Sequence, residues 1–261
     1  MNKLKVIYVF FHMGKTGGTS FTNHIASCFS EPEEQTPMLN LYQKRIAAEE
    51  GRVYWLDKPL KEKLKAQIIS GHDANRSLLP VLGNHAHLLF ITFFRDPGSR
   101  FVSHYNFQRS RGVLGQRNGF DDFINDKAIE KSQLRFFLLY YLGWSPEEFD
   151  KLYFSDNRSE ILNIALNALD EFFFVGLHNY YKDDMQVLTS HLSLPPVEKS
   201  FLVAGKDVNR YAEHNREIDN RLREQIPLEF EFYDQLLVRR TRYGSPINIS
   251  PQPEVLKRRS S

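Results

Sequence analysis

The run Val6-Ile7-Tyr8-Val9-Phe10 leads into Phe11-His12-Met13-Gly14-Lys15-Thr16-Gly17-Gly18-Thr19-Ser20-Phe21 and then into an amphipathic stretch. The β-branched and aromatic run predicts a buried strand. The turn behind it delivers the chain to a helix N-terminus, where free N–H groups and the positive end of the helix dipole face outward. Glycines let main-chain donors approach an oxyanion with no Cβ in the way, Lys15 adds a mobile positive charge, and Thr16, Thr19 and Ser20 add hydroxyls. Three glycines, three hydroxyls and a lysine within seven residues fit an anion-binding loop, the bland alternative being a strand-to-helix turn with a solvated lysine. A strand, a loop of this kind and a helix in that order predict an α/β fold. The expected form is a P-loop-like three-layer sandwich with a central parallel sheet flanked by helices.

The spacing narrows the ligand. A Walker A loop needs a glycine five positions before Gly14-Lys15-Thr16, and that position is Val9, inside the strand. A second strand signal, His87-Leu88-Leu89-Phe90-Ile91-Thr92-Phe93-Phe94, runs straight into Arg95-Asp96-Pro97-Gly98-Ser99-Arg100. Asp96 suits an N-cap and Pro97 the first helical position; Phe101, Val102, Tyr105 and Asn106 then fall at helical spacing, and Gly112 suits a stop after Arg111. Arg95 therefore leaves the end of a strand and Ser103 lies two turns into a helix. If the two strands are parallel neighbours, both elements open on the carboxyl edge of the sheet, where ligands of open α/β folds bind.

Lys15-Thr16-Gly17-Gly18-Thr19-Ser20-Phe21 resembles the 5′-phosphosulfate loop of sulfotransferases that use 3′-phosphoadenosine 5′-phosphosulfate (PAPS). Arg95-Asp96-Pro97 followed by Ser103-His104-Tyr105 resembles the 3′-phosphate element of the same family, in which the arginine and the downstream serine hold the ribose phosphate. The match falls on Arg95 and Ser103. Between the two, Lys65-Ala66-Gln67-Ile68-Ile69-Ser70 reads as a short strand ending in Gly71-His72-Asp73. A Gly-His there resembles the catalytic base of the carbohydrate 2-O-sulfotransferase branch. Transfer of a sulfuryl group to an alcohol needs a base for the hydroxyl proton, and imidazole is matched to that task near neutrality. His72 is the matching residue and His12, beside the loop, its rival; His24 and His104 read as packing or surface residues on helices.

The resemblance implies PAPS as donor, in-line displacement with Lys15 stabilising charge on the bridging oxygen, and a hydroxyl acceptor, a saccharide or glycolipid. It implies no metal, and the sequence carries no His-x-x-x-His or Cys-x-x-Cys pair. Asp121-Asp122 reads as a helix start and Asp183-Asp184 as a solvated face. Further cofactor contacts fall on Lys206 and Arg210, in a loop where the family closes over the nucleotide, with no motif to fix them. Two readings of other classes stay open. One is a kinase using ATP, which should carry a Walker B aspartate where Arg95 stands; the other is a non-catalytic nucleotide-binding protein.

The rest of the chain bounds these readings. Its 261 residues and 41% hydrophobic content suit one sulfotransferase domain over 1–243, with a basic Pro/Ser tail over 244–261 expected to be disordered. A net charge of +2 argues against wholesale nucleic-acid binding. The single cysteine, Cys28, fits a reducing compartment and, in register with Phe21 and Ile25, a packing role. The first strand begins at once, no apolar run approaches membrane-span length, and a cytoplasmic bacterial-type enzyme is expected. Residues 109–119 read as a basic, glycine-rich loop between helices, able to act as an acceptor or nucleotide lid. Phe172 to Leu177 reads as a further strand, Tyr181 to His191 as a helix, and two terminal helices break near Pro227. Tyr105, Phe107 and Trp55 could stack on a sugar ring or serve packing.

Overall fold

Continuous burial along the first strand, with alternate residues facing opposite sides, sets the architecture. In the computed structural model, which describes residues 4–28, 38–40, 59–114, 119–196 and 211–243, Ile7, Val9 and Phe11 of β1 (Lys5–Phe11) enter one apolar cluster while Tyr8 and Phe10 enter another. A strand apolar on both sides must be covered on both sides, which is how a parallel sheet is built. With β2 (Met38–Asn40), β3 (Ile68–Gly71), β4 (Ala86–Phe94) and β5 (Phe172–Leu177), it forms a five-stranded sheet in the order β2-β3-β1-β4-β5. Every pairing is parallel. The expected parallel α/β sandwich is therefore present.

Two helices cover one face: α1 (Gly18–Cys28) through Phe21 and Ile25, and the helix Tyr181–His191 through Met185 and Leu188. In chain order between them come α2 (Pro97–Ser110), α3 (Phe120–Lys127), α4 (Gln133–Phe136, continued as a π-helical turn through Tyr141), α5 (Pro146–Tyr153) and α6 (Ser159–Ala168). The helix Tyr181–His191 is then α7, followed by α8 (Arg216–Gln225) and α9 (Pro227–Tyr243). The opposite face packs Leu134, Phe137, Leu138 and Tyr141 against Ile161, Leu162, Ala165, Phe232 and Leu236. A third cluster joins α2, α3 and α8 through Phe101, Tyr105, Phe123, Ile218 and Leu222. Burying each such aromatic side chain contributes about 1.5–3 kcal/mol, so Tyr105 is a core residue.

At β5 the register slips between the Phe90–Phe172 and Ile91–Phe174 pairs, leaving Phe173 as an extra residue. The bulge turns the adjacent Phe173 and Phe174 onto the same face. Helix starts follow local chemistry: Asp96 caps α2 by accepting the Ser99 N–H at 2.8 Å, with Pro97 behind it, and Ser145 and Glu148 form a capping box on α5.

Two expectations need correcting. The helix stops at Gly112 as expected, with a φ of +67°, so Arg109 and Ser110 are the last turn of α2 and the start expected for the basic loop is too early. Asp184 is not on a solvated face: it is fully buried, accepts the Leu177 N–H at 2.7 Å and pairs with Arg240. Its carboxylate ties the end of β5 to α7 and α9, whereas Asp183 is exposed as expected. Trp55, Lys206, Arg210, residues 115–118 and the basic tail lie outside the described residues. Among the described residues no helix is long and apolar enough to cross a membrane.

Candidate anion-binding and catalytic site

All strands being parallel, their carboxyl ends share one edge, and β1 sits between β3 and β4. Phe11 pairs with Gly71 at the last rung, and the His12 N–H extends that ladder to the Gly71 carbonyl at 3.0 Å. The three motifs therefore leave from adjacent strands on one edge: Gly71-His72 from β3 and the glycine-rich loop from β1 at the same rung, and Arg95 from β4, which runs on past the last β1 pair. Adjacency across β3, β1 and β4 is what the sequence could state only as a condition.

The loop is held open by bonds to its carbonyls. Lys15 has a φ of +69°, a left-handed conformation that costs a non-glycine residue roughly 1–3 kcal/mol. Arg95 donates Nη1–H to the Lys15 carbonyl at 3.3 Å, and Arg100 donates Nε–H to the Gly14 carbonyl at 3.1 Å. Thr16 is buried, and its hydroxyl donates to the Met13 carbonyl at 2.9 Å. The Met13, Gly14 and Lys15 carbonyls are thus all engaged within the protein. Thr16 thus spends its side chain on the loop itself, whereas Thr19 is exposed and Ser20 half-buried at the head of α1.

Two glycines are required by neighbours. Gly17 has a φ of +97°, and a Cβ there would lie 2.8 Å from the Tyr181 ring, whose hydroxyl donates to the Gly17 carbonyl at 3.0 Å. A Cβ on Gly18 would meet the His12 ring at 1.9 Å. His12 is buried between Phe10 and His72, with ring centroids 5.5 and 5.2 Å away. Burial, then the His72 and Lys15 charges, lower its pKa to about 3, so it is neutral near neutrality.

His72 has a different environment. Its Nδ1 lies 2.5 Å from the His12 main-chain oxygen and its ring meets Phe136 edge-on at 5.6 Å. A carbonyl only accepts, so Nδ1 carries the proton and the lone pair of the neutral ring sits on Nε2. The two rings thus differ: His72 is oriented through Nδ1 by a main-chain carbonyl, and His12 is buried between two rings.

Positive charge converges here. Lys15 Nζ lies 4.5 Å from the centre of the Phe107 ring, with the Arg111 guanidinium 5.0 Å from the same ring. Burial first, then Arg95 and Arg111, push the Lys15 pKa down, and burial pushes that of Arg95 down. Cations crowded together in this way favour an anion between them. Ser99, Ser103, Phe107 and Arg111 recur every four residues along α2, so they form one stripe. Ser99 Oγ takes the Arg95 Nε–H at 3.3 Å and Phe107 carries Lys15. Half-buried Ser103 lies between them on that stripe.

Sequence reasoning missed several supporting residues. Gln133 is fully buried and clamps the Arg95 main chain, its Nε2 donating to the Arg95 carbonyl at 2.6 Å and its Oε1 accepting the Arg95 N–H at 3.2 Å. The buried Glu229 carboxylate in turn accepts the Gln133 and Leu134 N–H groups, at 2.9 and 2.8 Å. Arg100 carried one signal, its place five residues after Arg95; Gln133, Tyr181 and Glu229 carried none, being far away in sequence. Asp96, His214 and Asp219 place three potential ligand atoms within 4.8 Å of one another at the head of α2, Asp96 being far in sequence from the other two. His214 Nε2 already bonds Asp219 Oδ1 at 2.8 Å, and Asp96 is the α2 cap.

No protein-family model matches the chain, and no curated protein matches it. Among solved structures, the chain is similar to a sulfotransferase from Alicyclobacillus acidocaldarius, with 12% sequence identity, a TM-score of 0.47, and coverage of 90% of this chain and 97% of that one.

Proposed function

We propose that the chain is a sulfotransferase that moves the sulfuryl group of PAPS to an acceptor hydroxyl. One observation carries the reading: a lysine-bearing anion loop, an oriented histidine and a strand-end arginine, each resembling a separate element of such enzymes, leave from the adjacent strands β1, β3 and β4. The loop N–H groups and Lys15 would hold the 5′-phosphosulfate, with Thr19 and Ser20 at the helix start. Arg95 and Ser103 would hold the 3′-phosphate. Lys206 and Arg210 are carried as further contacts on the nucleotide.

The acceptor oxygen attacks sulfur, the bond from sulfur to the bridging oxygen breaks, and 3′-phosphoadenosine 5′-phosphate departs with the electron pair. His72 takes the hydroxyl proton at Nε2, the orientation of its ring held by the His12 carbonyl. Lys15 stabilises charge on the bridging oxygen, and a preorganised cation does so without reorganisation during the reaction. The donor is polyanionic and needs no metal in this scheme. The acceptor is a sugar hydroxyl on the strength of the Gly71-His72 resemblance.

The test is calorimetric titration with 3′-phosphoadenosine 5′-phosphate beside adenosine 5′-phosphate and ATP–Mg. Tight binding that needs the 3′-phosphate supports the reading. Preference for ATP–Mg with indifference to the 3′-phosphate overturns it in favour of phosphoryl transfer.

A further inference from the structure

Three of the five strand ends on the carboxyl edge have a place in the proposed transfer, and that of β5 runs into His178. Phe94 pairs with Leu177, so Arg95 and His178 follow side by side, one residue beyond the ladder. Two contacts fix the ring. A Cβ built on Gly17 would lie 3.2 Å from His178 Cδ2, so the imidazole borders the loop at its left-handed turn. The ring packs on Tyr181 at 5.6 Å, and Tyr181 itself is tied to the Gly17 carbonyl. One short segment, 178–181, thus both braces the loop and sets an imidazole at its rim.

Other histidines have a ring nitrogen on a protein atom: His24 on Pro195, His72 on His12, His104 on Gln108 and His214 on Asp219. His178 has no hydrogen-bond partner among the described residues, although it is half-buried beside the Arg95 charge. Packing on Tyr181 would be served equally by an apolar ring, and the His178 ring nitrogens are not among the buried unpartnered atoms, so a polar edge stays open to a ligand beside Arg95 and the Gly17 turn.

We infer that His178 is a further binding residue of this site, donating a ring N–H to the phosphate-bearing ligand held between the Gly17 turn and Arg95. The identity of that ligand rests on the proposed function; the position of the ring does not. From β4 the charged group facing it is Arg95, from α7 the titratable group is Tyr181, and the loop presents uncharged Gly17. Burial first and Arg95 second lower the His178 pKa to about 4, which keeps the free protein's ring neutral. An anion on Arg95 offsets that field and raises the pKa, so binding takes up a proton at His178 as the medium becomes acidic.

The experiment is calorimetric titration of the full chain with 3′-phosphoadenosine 5′-phosphate at pH 6 and pH 8, in wild type, His178→Leu and His178→Gln, with a thermal melt of each. His178→Leu is expected to lose about tenfold or more in affinity, the effect of one hydrogen bond to a charged group. His178→Gln keeps a donor that does not titrate, so it should bind close to wild type at pH 8 and lack the wild-type gain at pH 6. The ligand's own titration is common to all three proteins, so the differences between them isolate residue 178. Equal affinities and equal pH dependence in the three proteins overturn the assignment. Inorganic pyrophosphate is titrated in parallel: a wild type that ignores the nucleotide but binds pyrophosphate through His178 would end the sulfotransferase reading and leave this one standing. If neither probe binds wild type, both fall.

Discussion

His72 donates Nδ1–H to the main-chain carbonyl of His12, linking the end of β3 to the residue that opens the anion loop. The bond sets the tautomer of the side chain proposed as base, and through the neighbouring strands ties its position to that of Lys15. Replacing His72 by alanine should therefore separate chemistry from binding. Sulfuryl transfer from PAPS to a panel of methyl glycosides should fall by about 10²–10⁴-fold. The dissociation constant for 3′-phosphoadenosine 5′-phosphate should stay near wild type, and a parallel loss of both would remove His72 from the base role.

Arg95 is held at both ends, its guanidinium on Ser99 and Lys15 and its main chain on Gln133. Arg95→Ala should weaken 3′-phosphoadenosine 5′-phosphate by roughly 10–100-fold, the worth of a charged hydrogen bond, and leave adenosine 5′-phosphate much less affected. Calorimetry with both nucleotides measures the difference; equal losses for the two would place the arginine away from the 3′-phosphate.

Gln133→Leu keeps side-chain volume but strips both partners from the Arg95 main chain. A buried peptide group left without a partner costs about 1–3 kcal/mol, so the melting temperature should drop by several degrees. Nucleotide affinity should drop as well, because Arg95 loses its fixed origin. Crystallography or exchange of the Arg95 amide against deuterium shows whether the strand end loosens as this argument requires.

Gly18→Ala introduces a Cβ 1.9 Å from the His12 ring, which is itself walled in by Phe10 and His72. Overpacking of this kind typically costs about 1–3 kcal/mol. Because the His12 carbonyl orients His72, the variant should lose transfer rate as well as stability. A variant as stable and as active as wild type would show that the His12 ring can swing away freely.

Acid should destabilise the fold through its buried histidines. Burial lowers the His12 and His104 pKa values from the ordinary 6.5 to about 3, so between those limits the unfolded chain binds protons that the native chain does not. Stability present at pH 7 is then lost as pH falls through 6, by about 1.4 kcal/mol per pH unit for each such histidine. Calorimetric melting from pH 7.5 to 4.5 measures the slope, and His104→Gln should make it shallower.

Local chemistry determined a large share of this molecule. The run before Gly14, the run before Arg95, the Asp96-Pro97 cap and the heptad-like faces around Leu134 and Ile161 each depend on residues a few positions apart, so periodicity and capping read them directly. The motif residues were legible for the same reason: an anion loop is a local arrangement of N–H groups, hydroxyls and one lysine. Where a reading failed, a distant partner had intervened. Asp184 looks solvated until Arg240 and the Leu177 N–H are brought to it.

What the sequence alone determined is thus the set of elements and the chemistry available at their ends. The tertiary structure decided that β3, β1 and β4 are neighbours, and so that His72, Lys15 and Arg95 share one edge. It also supplied the groups that give those three their properties: the His12 carbonyl for His72, Arg100 for the loop, and Gln133 with Glu229 for Arg95. The physical reason is range. Helix and strand preferences act over a few residues, whereas strand order, the tautomer of a ring and the field around a lysine are fixed by groups that meet only when the chain has closed on itself.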